Sequence, residues 1–432
     1  MRDIPMYLVA SFVVAVASAS FAHAQTAVVN DAPRSNVSAM VSVLAYGADP
    51  TGRTDSTAAI QAALNAHPYG AIYFPARANG SPGIYKISSI KVRKTQRLVG
   101  SESTASRLSC TSVNAACVIV SDANSSYATG GIADIAIDGP GKGGSSVGLY
   151  LGGDPSGSLS PRTDFADGEV FSNILVANFH VGVKFGDNAW MDRFEGSQIL
   201  GNGTGMDAPT GVLNSGEAMG ITDTTIANNG VGIEDDAGFE FFIANSSIDY
   251  NHVGIKGGGI NVHAVNVHFE QRSGDFVFSP YGTVNLMMNN ITFLLGLTQG
   301  SDPSMIGLWP QSANVTIVGA SIWSNHPVTD FLFINRASEA HAQVNLQAIG
   351  GNGNRMVRHL TNAMSNPKGV WAAGGLRLPL STVASLPPCN AAAKGEMYAV
   401  SDAASPTYDG ALTGGGTVSV PAYCNGSAWT AH

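Results

Sequence analysis

Residues Ser246–Ile255 read SSIDYNHVGI: an apolar residue, two spacers, Asn, and Gly shortly after. The phrase returns as SQILGNGTGM at Ser197 and TTIANNGVGI at Thr224, with looser copies ILVANFHVGV at Ile174, VHFEQRSGDF at Val267 and SIWSNHPVTDF at Ser321. Aligned on the apolar residue, the positions are Leu175, Ile199, Ile226, Ile248, Phe269, Phe293, Ile322 and Ile349, in steps of 21 to 29 residues. Three residues after them stand Asn178, Asn202, Asn229, Asn251, Arg272, Gly296, Asn325 and Asn352. A period of this length, with short strand-like segments between turns, is the signature of a stacked solenoid.

Each period holds about three strand-sized pieces: TTIAN, GVGIE and FEFFIA in one circuit, SSIDY, HVGIK and INVHAV in the next. Apolar and polar residues alternate in most of them, so one side of each strand faces a shared core. Three strands per coil, each paired with its counterpart one circuit on, make a parallel β-helix. The recurrent Asn then has two physical uses. It tolerates the left-handed backbone of a sharp corner, and stacked Asn side chains can hydrogen-bond from coil to coil. A second set, Asp223, Asn245, Asn266 and Asn290, precedes the anchor by three residues. We assign most of these Asn to structure. An open solenoid end exposes a raw sheet edge and needs a cap. RTDSTAAIQAALNAHP supplies one: Asp55 or Ser56 can cap a helix, Ile60, Ala63 and Leu64 form its apolar stripe, and Pro68 follows its end.

Composition agrees. The 432 residues carry 51 Gly and only 12% charged residues, about half the usual share, which favours many turns over long helices. A formal charge of −9 gives no electrostatic reason to expect nucleic acid or an anionic membrane as partner. Residues 1–24 read as a secretory signal peptide: Arg2, the short apolar run YLVASFVVAVA, and Ala22-His23-Ala24 as the cleavage site before Gln25. Export suits the four cysteines. Their spacing suggests two local disulfides, Cys110 with Cys117 and Cys389 with Cys424, and no Cys-x-x-Cys pattern points to a metal.

The stretch VSVLAYGADPTGRTDSTAAIQAAL, Val41–Leu64, followed by GAIYFPA and GIYKISSIKV, resembles the beginning of the pectate-lyase-like superfamily of right-handed parallel β-helices. That superfamily includes rhamnogalacturonases, polygalacturonase relatives, epimerase-like proteins and phage tailspikes. The resemblance, with the repeats, covers residues 41–360 and implies secreted or surface action on polysaccharides, by hydrolysis or β-elimination. It also makes a homotrimer of the tailspike kind an option. Gly47, Asp49, Gly52 and Asp55 are explained by turn geometry and capping. Of the polygalacturonase elements only Glu234-Asp235-Asp236 has a counterpart, so that exact activity is not implied.

With Ile248 and Phe269 inward, Asp249 and Glu270 face outward at equivalent positions of consecutive coils, backbones about 4.8 Å apart. Two acids so placed raise one pKa and leave a proton donor beside a carboxylate, the requirement of a glycosidase. The same face carries Thr225, Ser247, His268 and Trp323, the last a platform for a sugar ring. Arg272, at the corner, can meet an acidic sugar's carboxylate. Asp235 and Asp236 are a second candidate pair, with turn formation as the alternative. Glu234 and Lys256 read as a surface ion pair. His263 and Arg193 fall near one outward column. Solvated surface is the competing reading for all these acids. A lyase would need a cation, Ca²⁺ or Arg, and a base; a hydrolase would need no cofactor. A non-catalytic glycan binder or adhesin is the reading from another class.

The repeats fade after Asn352. Residues 380–432 read as a small β module of short strands around Gly-rich turns, tied by Cys389 and Cys424, with Tyr398, Tyr408 and Trp429 as its small core or as glycan contacts.

Overall fold

In the computed structural model the described residues are 40–123, 130–271, 276–295, 306–308, 312–324, 332–334, 341–347, 350–351, 370–373, 378, 380–391 and 393–432. The leader, residues 1–24, and Arg272, Gly296, Asn325, Ile349 and Asn352 lie outside them.

Alternating apolar side chains drive the chain into short strands whose partners lie one circuit away, and every such pair is parallel. Three columns of strands result. Sheet I includes Arg193–Glu195, Met219–Thr222, Glu240–Ala244 and Asn261–Val265. Sheet II includes Leu175–Ala177, Gln198–Leu200, Thr225–Ala227, Ser247–Asp249 and His268–Gln271. Sheet III is a separate ten-stranded stack that includes Val181–Phe185, Thr204–Ala208, Val231–Asp235 and Val253–Lys256. Two long strands, Thr283–Leu295 and Ser312–Ser324, run through both sheet I and sheet II, so the two faces share one hydrogen-bonded sheet. The fold is a parallel β-helix, as the repeat requires.

The inward column of sheet II is Val176, Ile199, Ile226, Ile248, Phe269, Phe293 and Ile322, all buried and in register. One expected position shifts: Val176, not Leu175, is the anchor, and Leu175 pairs with Gln198. Farther along, Gly351 stands opposite Ile322. Aromatic rings stack along the interior, Phe171 on Phe194 at 4.7 Å and Phe269 on Phe293 at 5.3 Å.

The two uses of Asn fall on two different columns. Asn202, Asn229 and Asn251 are buried and form a ladder: Asn202 Nδ2 donates to Asn229 Oδ1 at 3.1 Å, and Asn229 Nδ2 to Asn251 Oδ1 at 2.9 Å. Each also returns a bond to the backbone of the preceding coil, as Asn229 Nδ2 does to Ile199 O. Asn178 is not a rung. It sits in the left-handed region (φ 64°) and donates to Asp138. The second set is left-handed throughout, Asp223, Asn245, Asn266 and Asn290 having φ between 50° and 55°. There Asn266 donates to Asn245 and Asn290 to Asn266 along the outer corner.

The helix Thr57–Ala66 buries Ile60, Ala63 and Leu64 against the first coils. Asp55 Oδ1 accepts from Thr57 N at 2.7 Å, while the Ser56 side chain makes no cap bond. Gln96 Nε2 satisfies the other end, donating to Leu64 O and His67 O. Asp49 accepts from the backbone and hydroxyls of Thr51 and Thr54, which holds the loop before the helix. Both disulfides form as spaced, Cys110–Cys117 and Cys389–Cys424.

Residues 380–432 build a four-stranded sheet of Leu380–Ser381, Met397–Ala403, Val418–Cys424 and Trp429–Ala431. Tyr398 and Trp429 pack edge-to-face on its small core, and Trp429 Nε1 donates to Pro387 O. Tyr408 stays exposed.

The buried rungs should matter more than the corner ones. Asn229→Ala leaves Asn202 N buried without its acceptor and removes the rung's bonds to Asn202 Nδ2, Ile199 O and Asn251 Oδ1, which should cost on the order of 3 kcal/mol. Asn178→Ala, at an exposed corner, should cost less than half as much. Equal losses in denaturant titration would refute the ladder's role.

Candidate functional site

On sheet II the outward residues form two lines. One runs Ser247, His268, Thr292, Ser321; the other Asp249, Glu270, Leu294, Trp323. Asp249 and Glu270 are therefore lateral neighbours at the strand spacing of about 4.8 Å. Asp249 Oδ1 accepts from Glu270 N at 3.2 Å, and Oδ2 accepts from the Ser247 hydroxyl. Burial pushes the Asp249 carboxyl above the usual range; the Ser247 hydroxyl and His268 oppose this, and the Glu270 charge adds to it. Glu270 Oε1 accepts from the Tyr250 hydroxyl, and Oε2 lies 3.6 Å from His268 Nε2. Trp323 is half exposed two rungs beyond Glu270, with Leu294 between. The fold thus gathers Asp249, Glu270, His268 and Trp323 on one face. Arg272, next in the chain to Gln271, lies outside the described residues.

Tyr250 is the group that the repeat analysis passes over. It occupies the corner position held by Asn178, Gly201 and Asn228 in the three preceding coils, all left-handed, and shares it at φ 52°. Its backbone N–H donates to Glu270 O as that of Asn228 does to Asp249 O. A bulky aromatic residue in this region is an outlier that costs about 1–3 kcal/mol. The signal is visible in the sequence, where Ile-Asp-Tyr-Asn stands against Ile-Ala-Asn-Asn.

Asp235 and Asp236 lie at the end of a sheet III strand, and no hydrogen bond or ion pair joins them to the sheet II pair among the described residues. Asp235 is fully buried and accepts from Gly238 N, Phe239 N and Asn261 N. Burial raises its pKa to about 7 against those three backbone donors. Asp236 accepts from Gly258 N and the Tyr281 hydroxyl. Both side chains are engaged in shaping the turn into sheet I, which is the alternative given for them above. Lys256 meets Glu234 at 2.7 Å as an ion pair. On sheet I, Arg193 and His263 do share a column, but Gly220 and Phe242 intervene, and the Phe242 ring stacks on His263 at 4.8 Å.

The repeat also gives no warning of an interior cluster of Lys94, Asp167, Glu169 and Asp192, all buried. Lys94 pairs with Asp167, and Asp192 Oδ1 accepts from Glu169 N. Both Glu169 carboxyl oxygens and Asp192 Oδ2 make no hydrogen bond among the described residues. Burial pushes Glu169 up to about 10, with the Asp192 charge adding to it and Lys94 opposing; Asp192 is likewise raised by burial. Enclosed as they are, these groups cannot touch a polymer at the surface. Among the described residues no group of three or more His, Cys, Asp or Glu is arranged to hold a metal ion, and no helix is long and apolar enough to cross a membrane.

Sheets, caps and outward lines together define a parallel β-helix protein with an acidic pair on one face. No family model matches the sequence, and no curated protein matches it. Solved structures do. The A-module of a mannuronan C-5 epimerase from Azotobacter vinelandii is similar at 15% identity, with a TM-score of 0.52, over 77% of this chain and 100% of that one. The catalytic unit of an α-1,3-glucanase from Streptomyces thermodiastaticus is similar at 14% identity and a TM-score of 0.52, over 79% and 68%. Tailspike protein 2 of an Escherichia coli bacteriophage is similar at 14% identity and a TM-score of 0.53, over 79% and 48%. At these identities the likeness is one of fold.

The interior cluster predicts a pH dependence. Glu169 keeps its proton in the folded chain and sheds it in the unfolded chain once pH exceeds the ordinary carboxyl range. Its contribution to stability is therefore complete below about pH 4.5 and is lost as pH rises towards about 10. Glu169→Gln mimics the protonated form, so its melting temperature should exceed the wild type's by a margin that widens from pH 5 to pH 9. A constant or shrinking margin in calorimetric scans would contradict this.

Proposed function

We propose that the protein is a secreted glycoside hydrolase that cleaves an acidic or pectin-like polysaccharide on the outward face of sheet II. The observation that carries the reading is the parallel register of Asp249 with Glu270, one carboxyl raised by burial beside a second that faces solvent. Asp249 is the proton donor: it gives its proton to the glycosidic oxygen as the bond to the anomeric carbon breaks. Glu270 is the opposing carboxylate. A strand spacing of about 4.8 Å is close to the carboxyl separation of about 5–5.5 Å that retaining enzymes use. Glu270 then bonds to the anomeric carbon, and water, deprotonated by Asp249, releases the sugar. His268 and Trp323 contact the substrate, and Arg272 is assigned to a uronate carboxylate. The solved structures of a glucanase and an epimerase on the same fold support a polymer substrate without selecting it.

In the same reading residues 1–24 are removed near Ala24–Gln25, residues 41–360 are the catalytic domain, and residues 380–432 are an accessory module. Two disulfides suit the oxidising compartment this requires. A homotrimer belongs to the reading as well and is checked by light scattering. No cofactor is invoked; Ca²⁺ enters only if the reaction is an elimination.

The test is incubation with polygalacturonate, polymannuronate and α-1,3-glucan, following reducing ends and ultraviolet absorbance together. New reducing ends without absorbance support hydrolysis. An absorbing unsaturated product abolished by EDTA would replace it with a lyase, and binding without cleavage with an adhesin. Asp249→Asn and Glu270→Gln should each lower kcat by on the order of 1,000-fold at unchanged melting temperature. Full turnover by Glu270→Gln would overturn the assignment.

A further inference from the structure

We propose that Tyr250 is a positioning residue, retained in a strained corner because its phenol fixes the Glu270 carboxylate for the reaction. The inference rests on the assignment of Asp249 and Glu270 as the reacting pair. Three facts carry it. The corner is left-handed, and the equivalent residues of the three preceding coils are Asn178, Gly201 and Asn228, the types that tolerate that backbone. Tyr gains nothing there conformationally. Its ring is not enclosed either, being about one-third exposed at 36%. What it has, and Asn or Gly lacks, is reach: its hydroxyl donates to Glu270 Oε1 on the next coil.

A Glu side chain on an open sheet face has three rotatable bonds, and holding its carboxylate in one orientation carries an entropic cost. Tyr250 takes one carboxylate oxygen, and His268, across at 3.6 Å, faces the other. Asp249, through Oδ1 on Glu270 N, fixes the strand rather than the head group. The carboxylate is therefore held from the corner of the preceding coil and from His268, two residues earlier on its own strand. Losing one grip displaces the head group by a fraction of its own length, and misplacement of about 1 Å can cost about 100-fold in rate.

Tyr250→Phe keeps the ring and removes the donor. Tyr250→Asn restores the corner's ordinary residue type. We expect both to lower kcat by about 100-fold with KM unchanged, and Tyr250→Asn to melt at or above the wild-type temperature. Melting temperatures require no substrate, so that arm stands alone: a clear fall for Tyr250→Asn would show that the ring is kept for packing and overturn the proposal. Full kcat in Tyr250→Phe would overturn it too. If Glu270→Gln is inactive while Tyr250→Phe is fully active, only this inference fails. If Glu270→Gln is itself fully active, the site assignment fails and takes this inference with it.

Discussion

Parallel pairing between successive circuits is the constraint on which everything else depends. Because each strand bonds to its counterpart one turn away, residues about 21 to 29 positions apart become lateral neighbours, and side-chain columns replace sequence proximity. A slip by one residue would turn Ile248 to solvent and Asp249 into the core. Two features oppose such a slip. The apolar column from Val176 to Ile322 must stay inward, and the Asn202–Asn229–Asn251 ladder locks the corner through side-chain and backbone bonds at each rung. Apolar burial sets the face; the amides set the register.

How far the sequence discloses this depends on how strictly each position repeats. Ile248 and Phe269 are bracketed by polar residues, so alternation marks them without ambiguity. Around residue 175 the chain reads Ile-Leu-Val-Ala, four apolar residues in a row, and alternation alone cannot choose Val176 over Leu175. The Asn positions mislead for a related reason. Asn serves equally well as a buried rung and as a left-handed corner, so Asn178 and Asn202 look alike in sequence while their amides do different work. The adjacency of Asp249 and Glu270 was legible because it follows from the period alone.

The cluster of Lys94, Asp167, Glu169 and Asp192 was not legible, because its members sit at corners where loop length varies and no pattern of spacing links them. It is also costly. Buried carboxyl oxygens without hydrogen bonds penalise the charged form, and here burial raises both Glu169 and Asp192 above the usual carboxyl range. The apolar column of sheet I resumes just beyond them, at Met219 and Phe241, so the cluster interrupts the core near the capped end of the coil.

Sequences that fold well are locally consistent, and places where a local rule fails without structural gain are the places to look for function. The two coils that carry the acidic pair each break a rule. Tyr250 replaces the Asn or Gly of the left-handed corner, and Gln271, next to Glu270, is buried with its amide unpartnered among the described residues. The first departure strains the backbone, and the second leaves a buried amide without a partner among the described residues. Both flank Glu270 in space, one through its hydroxyl and the other as its neighbour in the chain. A face serving only as solvated surface would have no reason to concentrate such costs on the two coils that hold Asp249 and Glu270. Their coincidence is what separates this pair from the other exposed acids, Glu234 and Glu240 among them, which lie in coils that keep the ordinary corner and ladder residues.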